Sequence, residues 1–158
     1  MPGSHTEVFG HPVPLAAWSD RHRIAGRRVA LVPTMGALHD GHMALLDEAR
    51  RHAELVVVSI FVNPLQFDRP DDFHAYPRPI DADLEVCRAH GVDAVYAPLA
   101  AAMYPPGFDT HIEPGALATV LEGAHRPGHF RGVATVVAKL LGAARPHAAV
   151  FGQKDFQQ

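Results

Sequence analysis

The sequence predicts an α/β fold built on a parallel sheet, on three observations. Apolar segments alternate along the chain between the strand period and the helix period. The strand-like runs are nearly continuous in apolar residues, as strands buried on both faces are. Three of those runs exit into polar, glycine- or proline-containing turns. The resulting order, β-α-β-α-β-(irregular)-α-β, is that of a Rossmann-like, doubly wound sheet.

Each element has its own signal. Arg28 to Val32 is a short apolar run that ends at Pro33-Thr34-Met35-Gly36, and is expected as the first strand. A helix is expected from Gly41 to His52. Leu45, Leu46, Ala49 and Ala53 recur on one face, and Asp47, Glu48, Arg50 and Arg51 fill the other. Leu55 to Val62 is the strongest strand, rich in Val, Ile and Phe, and stops at Asn63-Pro64. Residues 68–79, with three prolines, are expected as loop. Ile80 to His90 is expected as a helix with Ile80, Leu84 and Cys87 on one face, ended by Gly91. Asp93 to Ala97 is a third short strand. Prolines and glycines break the chain from Pro98 to Gly128, with a brief helix near Leu117–Leu121. From Gly132 to Ala144, Val133, Val136, Val137, Leu140 and Leu141 follow the spacing of an amphipathic helix. Ala148 to Phe151 is the fourth strand.

Composition bounds the function. The 158 residues fit one domain, and 47% hydrophobic with 20% charged residues is ordinary for a globular chain. A net charge of −3 with no Lys/Arg block argues against a general nucleic-acid surface. It leaves room for a local phosphate site made of backbone N–H groups and a few side chains. Cys87 is the single cysteine, in keeping with a reducing cytoplasm. No run of about 18 apolar residues predicts a membrane span, and the N-terminus lacks a signal-peptide pattern. Residues 1–6 read as a ragged end. Gln157 and Gln158 would lie in the first turn of a helix starting near Lys154, which reads as a domain cut short.

In doubly wound sheets, ligands bind beyond the carboxyl ends of the strands. Three polar segments fall there: 33–42, 63–67 and 152–158. The sharpest is Pro33-Thr34-Met35-Gly36-Ala37-Leu38-His39-Asp40-Gly41-His42, whose core is His-x-Gly-His at a helix start. Unpaired N–H groups and a partial positive charge attract phosphate there. Gly36 and Gly41 are expected to let the backbone approach a ligand. His39 and His42, three apart, can face the same side and each donate to a phosphate oxygen. Two other readings stay open. The pair could be surface histidines among the 12 in the chain, or could share a metal, although no Cys, third His or carboxylate cluster is obviously placed to complete that site.

The segment Gly152-Gln153-Lys154-Asp155 places a lysine where phosphoryl charge would grow, and Asp155 where it could accept from a ribose or orient its neighbours. In Asn63-Pro64-Leu65-Gln66-Phe67, Asn63 and Gln66 are carboxamides that suit a substrate with hydroxyl and carboxylate groups. Asp81 and Asp83 are expected to serve the N-terminal dipole of their helix. Cys87 is expected in the core; Arg126 and His129 lie in a loop before a helix, from which they could reach an anion, and their roles stay open.

Four segments in this order, Pro-Thr-Met-Gly-Ala-Leu-His-Asp-Gly-His, Val-Ser-Ile-Phe-Val-Asn-Pro-Leu-Gln-Phe, Ala-Ala-Met-Tyr-Pro and Phe-Gly-Gln-Lys-Asp-Phe-Gln-Gln, closely resemble the pantoate–β-alanine ligases, from about Val29 to Gln158. His-x-Gly-His alone would indicate only the wider nucleotidyltransferase and class I aminoacyl-tRNA synthetase group. The resemblance implies a nucleotidyltransferase-type domain over 1–158. It also implies ATP and Mg²⁺, the substrates pantoate and β-alanine, and a homodimer. Pantoate carboxylate would attack the α-phosphorus of ATP to give pantoyl adenylate and pyrophosphate, and β-alanine would then displace AMP.

On the same resemblance, Met35, Gly36, Ala37, Leu38, His39, Asp40, Gly41 and His42 would bind ATP, with His42 the usual proton donor and His39 supporting the phosphates. Gly152, Gln153, Lys154 and Asp155 would bind ATP too, with Lys154 stabilising the phosphoryl transition state. Gln66 and Gln158 would hold pantoate, and Gln66 could also touch the β-alanine site. Asp40 stands where Glu is common. Family members continue with another nucleotide-binding segment, a Ser/Arg-containing phosphate loop and a smaller closing domain. Two further readings are an enzyme that adenylylates a phosphate substrate and a non-catalytic nucleotide-binding or dimerising fragment.

Overall fold

The structure, a computed structural model, describes residues 5–158. Its elements in chain order are β1 (Glu7–Phe9), α1 (Pro12–Ile24), β2 (Val29–Thr34), α2 (Asp40–His52), β3 (Leu55–Ile60), α3 (Pro70–Ala75), α4 (Ile80–Ala89), β4 (Ala94–Tyr96), α5 (Ala100–Met103), α6 (Glu122–His125), α7 (His129–Ala144) and β5 (Ala148–Ala149). Short 3₁₀ turns occupy Pro64–Gln66, Ala116–Thr119 and Gln153–Asp155. The five strands form one sheet in the order β1-β4-β3-β2-β5, and every pairing is parallel.

Alternation along the strands sends side chains to two cores. Val29, Leu31, Leu55 and Val57 face α1 and α7, where Leu15, Trp18, Val136 and Leu140 close one layer. Ala30, Val32, Val56 and Val58 face α2 and α4, where Leu46, Ala49 and Cys87 close the other. Helices thus cover both faces, and β3 is buried along its whole length. The doubly wound α/β fold expected from the sequence is the one observed.

Several boundaries differ for physical reasons. Two elements, β1 and α1, precede the first expected strand. Thr6, expected within the ragged end, is buried and its hydroxyl donates to the Val92 carbonyl at 2.8 Å; residues 1–4 lie outside the described residues. The expected loop 68–79 contains α3, which Pro70 opens at a position where its missing N–H costs nothing, with Asp71 and Asp72 in the first turn. The brief helix expected near Leu117–Leu121 is a 3₁₀ turn followed by α6, divided at Leu121, whose φ is +51°. Helix α7 starts one turn early, at His129, because Gly128 at φ +80° redirects the chain and buries His129 and Phe130. β5 is shorter than expected, with only Ala148 and Ala149 paired to β2. Instead of a helix opening at Lys154, residues Gln153–Asp155 form a single 3₁₀ turn.

Candidate active site

The chain runs β2 to β3 to β4 in one direction across the sheet, then returns to place β5 on the far side of β2. The carboxyl ends of β2 and β5 therefore flank the topological switch point, where open α/β sheets bind ligands. The His-x-Gly-His loop leaves β2 and the Gly152–Asp155 segment leaves β5, so the fold itself brings these two segments together.

His39 is the N-cap of α2. Its Nδ1 accepts from the Gly41 N–H at 3.1 Å, and the Nδ1 of His42 accepts from the His39 N–H at 3.2 Å, a reciprocal capping box made of two imidazoles. The ring centroids are 4.2 Å apart. Because a backbone N–H can only donate, both Nδ1 atoms must accept, which leaves the ring proton of each neutral imidazole on Nε2. The His42 ring is half-buried beside Val32, Thr34, Leu38, Met43, Leu46 and Val58. Burial first, then the neighbouring His39 and Lys154 charges, hold its pKa below the ordinary imidazole value. Asp83 and Asp155 act in the opposite sense.

Gly36 and Gly41 both sit where an added Cβ would strike neighbouring side chains. At Gly36, with φ +81°, a Cβ would lie 2.8 Å from Asp83 Oδ2 and 3.0 Å from Ile60. At Gly41 it would lie 2.9 Å from His39 Cε1, so the seat of the His39 ring requires glycine. Asp83, expected to serve the α4 dipole, has a different task. Its carboxylate, 3% exposed, accepts the N–H groups of Ala37 and Leu38, each at 2.8 Å. The available signal is its i,i+4 spacing to Cys87, which puts an acid on the buried face, where it must find partners.

Asn63, expected to touch substrate, is committed to the scaffold. It is 1% exposed, its Nδ2 donates to Gln66 Oε1 (3.0 Å) and the Gly132 carbonyl (3.1 Å), and its Oδ1 accepts from Leu65 N–H (3.3 Å) and Tyr104 hydroxyl (2.7 Å). Gly132 allows this, because a Cβ there would sit 2.2 Å from the Leu65 carbonyl oxygen. With Oε1 of Gln66 turned to Asn63, its Nε2 faces Met35 Sδ at 3.5 Å and the amide presents donors. Arg126 and His129, whose roles the sequence leaves open, hold this loop. Both donate to the Gln66 carbonyl, at 3.1 and 2.7 Å, and Arg126 pairs with Asp68 at 3.1 Å.

Lys154 is exposed, and its Nζ pairs with Asp155 at 2.9 and 3.1 Å. Its charge nonetheless reaches His42. Gln153 is exposed and Gly152 half-buried. The exposed Gln158 donates its backbone N–H to the Asp155 carbonyl. Leu38 packs against the α2–α4 core layer, while Asp40 is exposed in the first turn of α2. Among the described residues no three His, Cys, Asp or Glu side chains converge as metal ligands, and the two carboxylates near His42 are engaged by Ala37, Leu38 and Lys154. These residues do not form a cage for Mg²⁺.

This arrangement defines a class: Rossmann-like α/β domains that carry a His-x-Gly-His helix start at the switch-point edge. Within it, the chain belongs to the pantoate–β-alanine ligase family, whose model matches residues 7–158. Two crystal structures of pantothenate synthetase from Thermus thermophilus share 46% identity at a TM-score of 0.88, over 96% of this chain and 54% of theirs. Pantoate–β-alanine ligase from Francisella tularensis, complexed with beta-gamma ATP and β-alanine, shares 38% identity at a TM-score of 0.92, over 98% of this chain and 59% of its own. The chain spans little more than half the length of these solved proteins.

Proposed function

We propose that this chain supplies the nucleotide-binding part of an enzyme that condenses pantoate with β-alanine and consumes ATP in doing so. The observation that carries the reading is the His39–His42 pair. Two rings 4.2 Å apart at the switch-point edge, each with Nδ1 tied to a backbone N–H, keep Nε2 as the donor, and the Lys154 charge acts on His42. Family membership and the ATP-complexed Francisella relative support the same reading.

In this proposal the pantoate carboxylate attacks the α-phosphorus of ATP, forming the acyl–phosphate bond as the bond to pyrophosphate breaks. The β-alanine amine then attacks the acyl carbon and AMP departs, carrying the electron pair of the broken C–O bond. Such transfer needs positioning and charge neutralisation more than a protein nucleophile. His42 and His39 donate to phosphate oxygens, and an anion there raises the proton affinity of both rings. Lys154 exchanges Asp155 for the phosphoryl group. Met35 to His42 and Gly152 to Asp155 line the nucleotide, with Gln66 and Gln158 on pantoate. Asn63 acts through Gln66. Mg²⁺ enters as part of the nucleotide substrate rather than in a protein cage.

The enzyme is assigned to the cytoplasm, where its lone thiol stays reduced, and to a homodimer, which sedimentation tests directly. Among the described residues no helix is long and apolar enough to cross a membrane. The deciding assay is exchange of labelled pyrophosphate into ATP with and without pantoate. Pantoate-dependent exchange is expected. Exchange driven only by a nucleoside phosphate would overturn the reading, and ATP binding without exchange would restrict this chain to nucleotide binding.

A further inference from the structure

We propose that Asp83 is a positioning residue for the His39–His42 pair: its carboxylate clamps the backbone of the loop and sets where both rings point. The inference rests on the reading above only in that the pair meets phosphate.

Asp83 belongs to α4, in the crossover between β3 and β4, and reaches a loop 45 and 46 residues earlier in the chain. It is 3% exposed. A buried carboxylate is costly unless its oxygens are satisfied, and here each oxygen takes one N–H, Oδ2 from Ala37 and Oδ1 from Leu38, both at 2.8 Å. The clamp grips a strained point of the loop's backbone. Ala37 has φ +52°, a conformation an L-residue with a Cβ avoids, and Gly36 before it has φ +81°. Gly36 also fits directly against Asp83 Oδ2, where any Cβ would sit 2.8 Å away. The loop turns through these two residues, and His39 follows as the N-cap, so its placement depends on the turn. Thr34 secures the near side, its hydroxyl accepting from the Gly36 N–H at 3.1 Å.

Only a carboxylate satisfies both amides. Asn would accept one N–H and turn an NH₂ toward the other. Asp83 also acts on His42 through charge: of the groups facing that ring, His39 and Lys154 oppose its protonation while Asp83 and Asp155 favour it.

The clamp is tested first in the unaltered protein by NMR. Scalar couplings across the hydrogen bonds should join the Ala37 and Leu38 amide nitrogens to the Asp83 carboxyl carbon; amides without such a coupling would overturn the clamp. The second test is Asp83→Asn, which keeps the shape. Its Mg·ATP dissociation constant should rise about tenfold, the scale of one lost charge-assisted hydrogen bond. The His42 ring should titrate at lower pH than in the parent, a change a merely structural residue would not produce. An Asp83→Asn protein with parental His42 titration and parental affinity would refute the role. If the parent itself fails to bind Mg·ATP, the nucleotide reading fails, while the amide couplings and the His42 titration still decide the clamp.

Discussion

Replacing Asn63 by Ala separates scaffold from substrate contact. The side chain is 1% exposed and makes four hydrogen bonds, so its loss leaves the Tyr104 hydroxyl, the Leu65 N–H and Gln66 Oε1 without their partner, while the Gly132 carbonyl, inside α7, keeps its helical N–H. Water can reach some of these groups, since Gln66 and Leu65 are only half-buried. The Tyr104 hydroxyl is partly buried and has Asn63 as its partner. A buried polar group left unsatisfied costs about 1–3 kcal/mol. For a chain of this size that lowers Tm by roughly 2–12 °C. Urea unfolding followed by circular dichroism measures the loss directly, and a midpoint change at constant slope confirms that the folded state is what changed. Removing a residue that merely touches substrate would leave stability unaltered. A loss below about 0.5 kcal/mol, within the range of ordinary surface substitutions, would therefore refute the scaffold assignment.

Other outcomes follow from the same geometry. Gly41→Ala introduces a Cβ 2.9 Å from His39 Cε1; the displaced ring should weaken Mg·ATP binding in calorimetry, while stability changes by no more than about 1 kcal/mol because alanine is the better helix former. The depressed pKa of His42, caused first by burial, places its folded value below the unfolded one. Its contribution to stability is accordingly complete above the unfolded value of 6.5 and fades as pH falls toward the folded one. Urea midpoints at pH values about one unit above and one unit below that unfolded value should differ more in the parent than in His42→Gln, and equal differences would count against this. Cys87 is fully buried and its thiol is pushed up to about 11, so a thiol reagent should modify it only in denaturant; rapid modification of the native protein would contradict its place in the core.

Much of the framework is legible in the sequence because its signals are local. β2 and β3 are continuous apolar runs, and α2, α4 and α7 carry clear apolar faces. β1 and α1 are not. β1 has three residues with Val8 half-exposed, and α1 buries only Leu15, Trp18 and Ser19, with prolines at positions 12 and 14 of its first turn that hide its start in the sequence. The motif loops are legible as motifs, and the nearness of the two imidazoles at the helix start follows from their spacing. Their support is hidden. Asp83 acts 45 and 46 residues away, and Asn63 finds Tyr104 and Gly132 at separations of 41 and 69. No local pattern encodes such pairings; they follow from which strands the sheet sets side by side. The same distance explains why Arg126 and His129 look like anion ligands in the sequence, since their true partner, the Gln66 carbonyl, carries no side-chain signature.

The most direct test of the phosphate-site claim is ¹⁵N NMR of the histidine rings during titration with Mg·ATP. Both His39 and His42 should start with the proton on Nε2, and both Nε2 signals should move together as nucleotide is added. Either ring found with its proton on Nδ1, or saturation with nucleotide that leaves the two Nε2 signals in place, would contradict the account.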